Sequence, residues 1–276
     1  MSATTSSAYV MGHSDRERRR LAAQAEILDP ITEQLLRRAG LAPGMSVLDF
    51  GCGVGNVSVI AARLVGTSGR VTGLDIDEPA LTIARQRALE QGLTNITFER
   101  TSVVAFRPPT PVDATIGRHI LIHMTEPSAL LETSFAALKP GAVAVFQEYD
   151  FSVPHPTYPS APLKDRLAEV FRDFFHKATA TQGTMGTRLY HLAVQAGFCS
   201  VDCRAEYGIG GGADSPYYEW LAESLRSILP RAEALGVLRA SDIDIDTLAT
   251  RMRQESVANA SCIPAPVMVG CIARKP

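Results

Sequence analysis

The sequence predicts an α/β fold in which helices cover both faces of a largely parallel sheet. Short apolar runs alternate with segments of helical hydrophobic period along the 276 residues. The run 47–50 leads directly into a glycine-rich turn at 51–55, and the helical pattern that follows stops at Gly66. The run 142–148 is almost entirely apolar, as expected for a strand that is covered on both faces.

The remaining elements follow from the same two periods and from residues typical of helix ends. Helices are expected at 14–28 and 31–39, separated by Asp29-Pro30, because the residue before a proline disfavours helical geometry. The other predicted helices are 77–91, 125–138, one that begins at 163, 186–197, one after the cap Asp214-Ser215-Pro216, and about 244–258. The other predicted strands are 70–75, 96–100, 112–117, 199–206 and 267–273.

Composition and charge exclude several classes of protein. Hydrophobic residues make up 46% and charged residues 20%, which suits a globular domain with a sizeable core. The net charge of -2 argues against a nucleic-acid partner, so we interpret the run Arg18-Arg19-Arg20 as the solvated side of a helix. The first residues lack a signal-peptide pattern and no apolar run has membrane-spanning length, which predicts a cytoplasmic protein without a membrane partner.

The turn after the first strand has the chemistry of a site for a nucleotide-like ligand. Asp49 is followed by Gly51, Gly53 and Gly55, and a helix begins directly after them. Glycines are needed there because a Cβ would block the close approach of a ligand to the backbone. Asp75 ends the second strand, where a carboxylate can hold the two hydroxyls of a ribose.

The pattern Asp49-x-Gly51-x-Gly53-x-Gly55, together with Gly73-Leu74-Asp75-Ile76, resembles the class I S-adenosylmethionine-dependent methyltransferases. The resemblance implies a Rossmann-like, seven-stranded α/β/α sandwich that binds S-adenosyl-L-methionine. A NAD-dependent dehydrogenase is the weaker alternative, because its turn has the third glycine one position later and this chain has no Tyr-x-x-x-Lys pair.

The resemblance also implies a division of the chain. Residues 1–40 would form N-terminal lid helices, and 41–150 would form the cofactor-binding core. Residues 151–185 would be an inserted cap that shapes the substrate pocket, and 186–276 would complete the core with a helical insertion at 213–262. The N-terminal helices are also the expected contact of a homo-oligomer, and the alternative is that they serve stability alone.

The cofactor contacts implied by the resemblance lie in the lid and at the ends of four strands. Ser102 stands where the family usually has an aspartate that holds the adenine amino group, so the backbone at Val103 is expected to share that contact. His13 is a further candidate in the lid. The full set is Tyr9, Asp49, Gly51, Cys52, Gly53, Asp75, Ile76, Ser102, Val103, Arg118 and His123.

The expected reaction is methyl transfer to an oxygen, nitrogen or carbon atom of a small hydrophobic molecule, of the secondary-metabolite type. If the acceptor is a hydroxyl, His119 and Glu148 are the candidate bases, because each follows or ends a neighbouring strand. No metal is predicted, since the five cysteines lack ligand spacing and no paired acidic motif is present. A protein that binds the cofactor but steers a non-methylating reaction, or serves as an interaction module, would carry the same residues.

Overall fold

The computed structural model describes the backbone of residues 15–276 and the side chains from residue 24 onward. Tyr9 and His13, the predicted contacts in the lid, therefore lie outside the described residues. None of the described helices combines the length and the low charge that a membrane-spanning helix requires.

A seven-stranded sheet runs through the centre of the described chain. Its strands are β1 (Ser46–Phe50), β2 (Arg70–Asp75), β3 (Ile96–Arg100), β4 (Val112–Arg118), β5 (Leu138–Asp150), β6 (Cys199–Glu206) and β9 (Val267–Arg274). The short strands β7 (Ile209–Gly210) and β8 (Ile263–Pro264) pair with each other in a separate sheet. The spatial order is β3-β2-β1-β4-β5-β9-β6, in which β9 alone runs antiparallel to its neighbours. The strand order reverses between β1 and β4, which is where open sheets of this kind bind ligands.

Helices cover both faces of this sheet. They are α1 (Asp15–Ala39), α2 (Asn56–Val65), α3 (Glu78–Glu90), α4 (Pro127–Ala137), α5 (Pro162–Ala178), α6 (Met185–Gln195), α7 (Tyr217–Ala234) and α8 (Leu248–Ala258), with 3-10 turns at 121–123 and 240–242. Successive residues of β5 belong to different cores: Val145 packs with the cluster of α1, α2 and α3, and Phe146 with that of α4 to α8. This alternation explains the continuous apolar run and confirms the predicted sandwich.

The predicted helix break at Asp29-Pro30 is wrong. Helix α1 continues through Pro30 to Ala39, although an internal proline removes one backbone hydrogen bond and crowds the preceding turn. Pro30 is exposed, whereas Leu28, Leu35 and Leu36 on the opposite side of the helix are buried. Burial of this apolar stripe, together with polar contacts to the sheet, therefore outweighs the local preference for a break.

Two other predicted boundaries also move. Strand β5 begins at Leu138 instead of 142, because Leu138 pairs with Val112 before an irregularity in the register. Helix α8 begins at Leu248, four residues later than about 244, after a turn in which the Thr247 hydroxyl donates to the Asp244 carboxylate at 2.6 Å.

The helices beyond the minimal fold lie together. Helix α5, from the range predicted as the cap, packs against α7 and α8, from the range predicted as the helical insertion. Helix α7 also contacts α1. These four helices fall within the ranges predicted as the lid, the cap and the helical insertion, whose roles stay predictions.

Candidate cofactor and acceptor site

The glycine turn lies at the carboxyl end of β1, between β2 and β4. Gly51, Gly53 and Gly55 have φ angles of 66°, 52° and 81°, in the left-handed region that favours glycine. The backbone N–H groups of Gly51 and Cys52 both donate to the carbonyl of Leu74, at 2.8 and 3.0 Å. The turn is therefore tied to the neighbouring strand before any ligand is present.

The three glycines differ in what surrounds them. A methyl group in place of the Gly51 hydrogen would collide with Ile120 Cδ1, and one at Gly55 would lie 3.0 Å from Ala84 Cβ. Both positions are constrained by the protein itself. At Gly53, by contrast, a Cβ would have no heavy atom of the described residues within 4 Å, apart from those of Gly53 and its two chain neighbours. The turn therefore has an open side, which is the space that a bound cofactor requires.

Asp75 closes one side of the turn. Its Oδ2 accepts a hydrogen bond from the backbone N–H of Gly53 at 2.8 Å, and its Oδ1 accepts one from Asp77 N at 2.9 Å. An ionised carboxylate can accept about four hydrogen bonds, so capacity remains for both hydroxyls of a ribose. The next side chain, Ile76, is 56% exposed, and its apolar surface suits an adenine ring. Both residues fit the predicted cofactor.

Asp49 lies beneath the turn and is only 1% exposed. Its Oδ2 accepts a hydrogen bond from the Ser58 hydroxyl, whereas its Oδ1 has no partner among the described residues. Burial raises the pKa of Asp49 to about 7, because desolvation outweighs the stabilisation of the charge by Ser58 and Arg118. Because this oxygen is itself buried, no described contact tests the predicted role of Asp49 in cofactor binding, which stays a prediction.

The other predicted contacts on this side lie near Asp75 but differ in orientation. Arg100 pairs in register with Asp75, so Ser102, two residues beyond, lies at the same edge with its side chain exposed. Val103 is half-buried against the core. The Cys52 thiol packs against Gly73 of β2, and burial raises its pKa well above the usual value, which keeps it protonated.

Arg118 anchors a helix instead of lining the open side of the turn. Its Nη1 lies 2.9 Å from Asp29 Oδ1 and 2.9 Å from the Thr32 hydroxyl, and the side chain is only 9% exposed. The Thr32 hydroxyl also donates to Gln147 Oε1 at 2.6 Å. These contacts hold α1 against the ends of β4 and β5. They give Arg118 an anchoring role, and its predicted cofactor contact stays a prediction.

His119 occupies a strained position directly after β4. Its φ is 56°, which non-glycine residues seldom adopt, and its ring stacks on Tyr149 with centroids 4.0 Å apart. Gln24 Nε2 lies 3.3 Å from His119 Nδ1. If this amide nitrogen donates to Nδ1, the neutral His119 ring carries its proton on Nε2. For Nε2 to act as a base, the Gln24 amide must flip so that its oxygen accepts a hydrogen bond from Nδ1. His123, four residues on, is half-buried at the end of the 3-10 turn.

Glu148 is fully buried, and its carboxylate faces backbone N–H groups. Oε1 accepts from Ile120 N at 2.9 Å and from Leu121 N at 2.7 Å, while Oε2 accepts from Ile122 N at 3.4 Å. Burial raises the pKa of Glu148 to about 8, although these three hydrogen bonds oppose the shift. The geometry favours an anchoring role over the predicted one of a base, because the carboxylate is enclosed by its own chain.

Several residues of the site escaped the sequence analysis. Gln24, Thr32 and Gln147 are uncharged polar residues within helix and strand patterns, and such residues give no signal of a buried contact. The sequence does place Tyr149 at the same strand end as Glu148, and only the fold brings its ring against His119. Ser58 could have been found, because it follows Asp49 by nine residues on the helix that opens at the turn. Within the described part of the chain, no group of three or more His, Cys, Asp or Glu side chains is placed to hold a metal ion.

Comparison with known families and sequences gives consistent matches. A family model described as "Methyltransferase domain" matches residues 41–197. A ubiquinone/menaquinone biosynthesis C-methyltransferase of Shewanella halifaxensis is 24% identical over 69% of this chain and 63% of its own length. A demethylmenaquinone methyltransferase of Lactococcus lactis is 34% identical over 45% of this chain and 48% of its own. The chain thus spans less than two thirds of the length of these curated relatives.

Solved structures show the same fold. A phosphoethanolamine N-methyltransferase of Haemonchus contortus, in complex with S-adenosylhomocysteine, superposes with a TM-score of 0.55 at 19% identity, over 90% of this chain and 52% of its own. The 4+2 cyclase SpnF superposes with a TM-score of 0.55 at 20% identity, over 90% of this chain and 81% of its own. At these identities the likeness concerns the fold alone.

The first prediction concerns Asp75. Replacing it with alanine should weaken S-adenosylmethionine binding at least ~10-fold, since each hydrogen bond to a charged group contributes about 1.5–3 kcal/mol. Isothermal titration calorimetry measures this change, with Asp77→Ala as a control that removes a carboxylate two residues away. Unchanged affinity in a folded Asp75→Ala protein would contradict the assignment, and so would micromolar binding of NAD by the wild type.

The second prediction concerns stability and pH. Because the pKa of Glu148 is raised to about 8, its favourable contribution is complete below the unfolded value of 4.5 and is lost as the pH rises through 8. The melting temperature should therefore fall between pH 6.5 and 9, and it should fall less in Glu148→Gln, which retains the Oε1 acceptor without the charge. Glu132→Gln, at an exposed position, serves as the control. Parallel melting curves for the wild type and Glu148→Gln would contradict this prediction.

Proposed function

The chain belongs to the methyltransferase domain family, and on that premise we propose that it transfers a methyl group from S-adenosylmethionine to a hydrophobic small molecule. One observation carries the proposal: the glycine turn is open at Gly53 and flanked by the carboxylate of Asp75. This geometry suits a ribose and a methionine chain on opposite sides of one backbone turn. The family membership confirms the expected use of S-adenosylmethionine as cofactor.

The protein contributes position and the exclusion of water. When bound, S-adenosylmethionine would supply an electrophilic methyl group for displacement by the acceptor, with its sulfur as the leaving group. Because charge is neutralised in this displacement, a dry and well-oriented pocket favours it. Arg118 holds α1 at the edge of the sheet through Asp29 and Thr32, and α7 packs against α1. In the proposal these helices cover the reacting atoms.

The acceptor in this proposal is a lipophilic aromatic compound of the quinol or phenol type. The names of the curated relatives support this class, because they refer to ubiquinone and menaquinone biosynthesis. A row of aromatic rings supports it as well: Tyr149 stacks on His119, and Phe151 lies 5.4 Å from Tyr149 and 4.1 Å from Phe175. The row leads from the end of β5 into the cap helix α5. Phe151 and Phe175 are buried, so in the proposal a flat apolar acceptor stacks near Tyr149, at the half-buried end of the row.

A second candidate function is a non-methylating reaction in a protein that still binds the cofactor. One structural neighbour is named a cyclase, so the fold by itself does not distinguish the two functions. Both candidates require cofactor binding, and only the first requires its turnover. A dehydrogenase loses support, since the family model that matches is that of a methyltransferase domain.

The third prediction is methyl transfer itself. With S-adenosylmethionine that carries a radiolabelled methyl group, the wild type should label at least one member of a panel of lipophilic quinols, phenols, amines and isoprenoids. Asp75→Ala should lower kcat/KM for the cofactor at least ~10-fold, because it removes the expected ribose contact. Cofactor binding by calorimetry without labelling of any acceptor would favour the non-methylating alternative.

The fourth prediction concerns His119 as the base for a hydroxyl acceptor. His119→Ala should lower kcat by ~100-fold, the low end for the loss of a general base, and should leave cofactor affinity nearly unchanged. The wild-type rate should rise over the pH range in which an ordinary histidine loses its proton, about 6 to 7, and this rise should disappear in the variant. A rate independent of pH from about 5.5 to 9, with an active His119→Ala, would favour a carbon or amine acceptor.

A further inference from the structure

The Glu148 carboxylate is buried and bonded to the backbone, unlike an exposed catalytic carboxylate. It is 0% exposed near the end of β5, and its two oxygens receive three consecutive backbone N–H groups of residues 120–122. These groups open the 3-10 turn at 121–123, where the first N–H groups have no partner within the turn itself. The carboxylate therefore caps this turn from a different strand.

Neighbouring residues of β5 hold the same segment. The carbonyl of Gln147 accepts the backbone N–H of His119 at 2.9 Å, and the ring of Tyr149 stacks on the His119 imidazole. Three successive residues of one strand thus hold the turn 119–122 by three different kinds of contact. This arrangement accounts for the positive φ of His119, because a strained conformation persists only where its surroundings determine it.

Ile120 transmits the position of this turn to the cofactor site. Its side chain lies directly against Gly51, where a methyl group would collide with Ile120 Cδ1. On the other side, its Cγ2 lies 3.1 Å from the point that a Cβ on Gly117 would occupy. Ile120 therefore fills the space between β4 and the glycine turn, and a displacement of one surface displaces the other.

We propose that Glu148 is a positioning residue, whose carboxylate holds the turn 119–122 so that Ile120 supports the glycine turn in the shape that binds the cofactor. This inference rests on the proposed function, because the cofactor site is that of a methyltransferase. In this inference Glu148 acts on cofactor binding. It is not the base that removes a proton from the acceptor. A displacement of the glycine turn by about 0.5–1 Å is enough to reduce binding and rate.

The fifth prediction compares Glu148→Ala, Glu148→Gln and Asp150→Ala. Asp150 is a matched control, because it is also 0% exposed on β5 and also accepts backbone N–H groups, but from Ser152 and Thr187. S-adenosylhomocysteine affinity, measured by calorimetry, should fall ~10-fold or more in Glu148→Ala. It should stay within about threefold of wild type in Glu148→Gln and in Asp150→Ala, even where Asp150→Ala lowers the melting temperature.

Hydrogen exchange provides a readout that does not depend on the cofactor. In Glu148→Ala, the amides of residues 120–122 should exchange at least about tenfold faster than in the wild type. In Asp150→Ala, the amide of Thr187 should instead be the one that exchanges faster. Ile120→Ala keeps the hydrogen bonds of Glu148 and removes only the side chain against Gly51. It should weaken S-adenosylhomocysteine binding to a similar degree, and combining it with Glu148→Ala should add little, because both act through one contact.

Several outcomes would overturn the inference. Wild-type affinity in Ile120→Ala would do so even if Glu148→Ala fails to fold, and so would an equal loss of affinity in Asp150→Ala and Glu148→Ala. A Glu148→Gln protein as impaired as Glu148→Ala would also contradict it, because the amide oxygen keeps an acceptor for the N–H groups of Ile120 and Leu121. Failure of the wild type to bind S-adenosylhomocysteine would instead contradict the proposed function, and the exchange of residues 120–122 would still test the anchor.

Discussion

The ligand-binding edge of this protein depends on one buried carboxylate and the three backbone N–H groups that it accepts. Without Glu148, the N–H groups of residues 120–122 would be buried beside β5 without that partner, at roughly 1–3 kcal/mol for each unsatisfied group. The turn that they belong to carries His119 and supports the glycine turn through Ile120. Glu148 therefore links β5 to the turn after β4 and, through Ile120, to the glycine turn.

Three carboxylates at this edge of the sheet differ in burial and in hydrogen-bond partners, although their chemistry is the same. Asp75 is half-buried, is held by two backbone N–H groups, and retains acceptor capacity towards the open side of the turn. Asp49 is buried with one oxygen unpartnered among the described residues, and desolvation raises its pKa to about 7. Glu148 is buried with both oxygens bonded, and desolvation raises its pKa to about 8. Burial thus separates Asp49 and Glu148 from Asp75, which is the carboxylate that the proposed function assigns to the ribose.

The helices that cover the site in the proposed function are held by both polar and apolar contacts. Arg118 ties α1 to the sheet through Asp29 and Thr32, and Thr32 continues the chain of contacts to Gln147. Away from the sheet, α5, α7 and α8 pack on one another, and α7 reaches α1. Hydrogen bonds also join these helices: Leu163 N donates to the Glu255 carboxylate at 3.0 Å, and Arg231 donates to the Ala178 carbonyl at 3.1 Å.

The sequence by itself determined the strands, most helix bounds, the glycine turn and the carboxylate at Asp75, because each depends on a pattern within a few residues. Local patterns also placed His119 and Glu148 at neighbouring strand ends. The tertiary structure alone decided that α1 continues through Pro30, that Arg118 anchors a helix 89 residues away in the chain, and that Glu148 holds a turn instead of facing an acceptor. The physical reason is that these outcomes depend on burial and on partners distant in sequence. Whether a helix breaks, or what a carboxylate does, depends on the atoms that surround it in the fold. A pattern of neighbouring residues in the sequence does not specify those atoms.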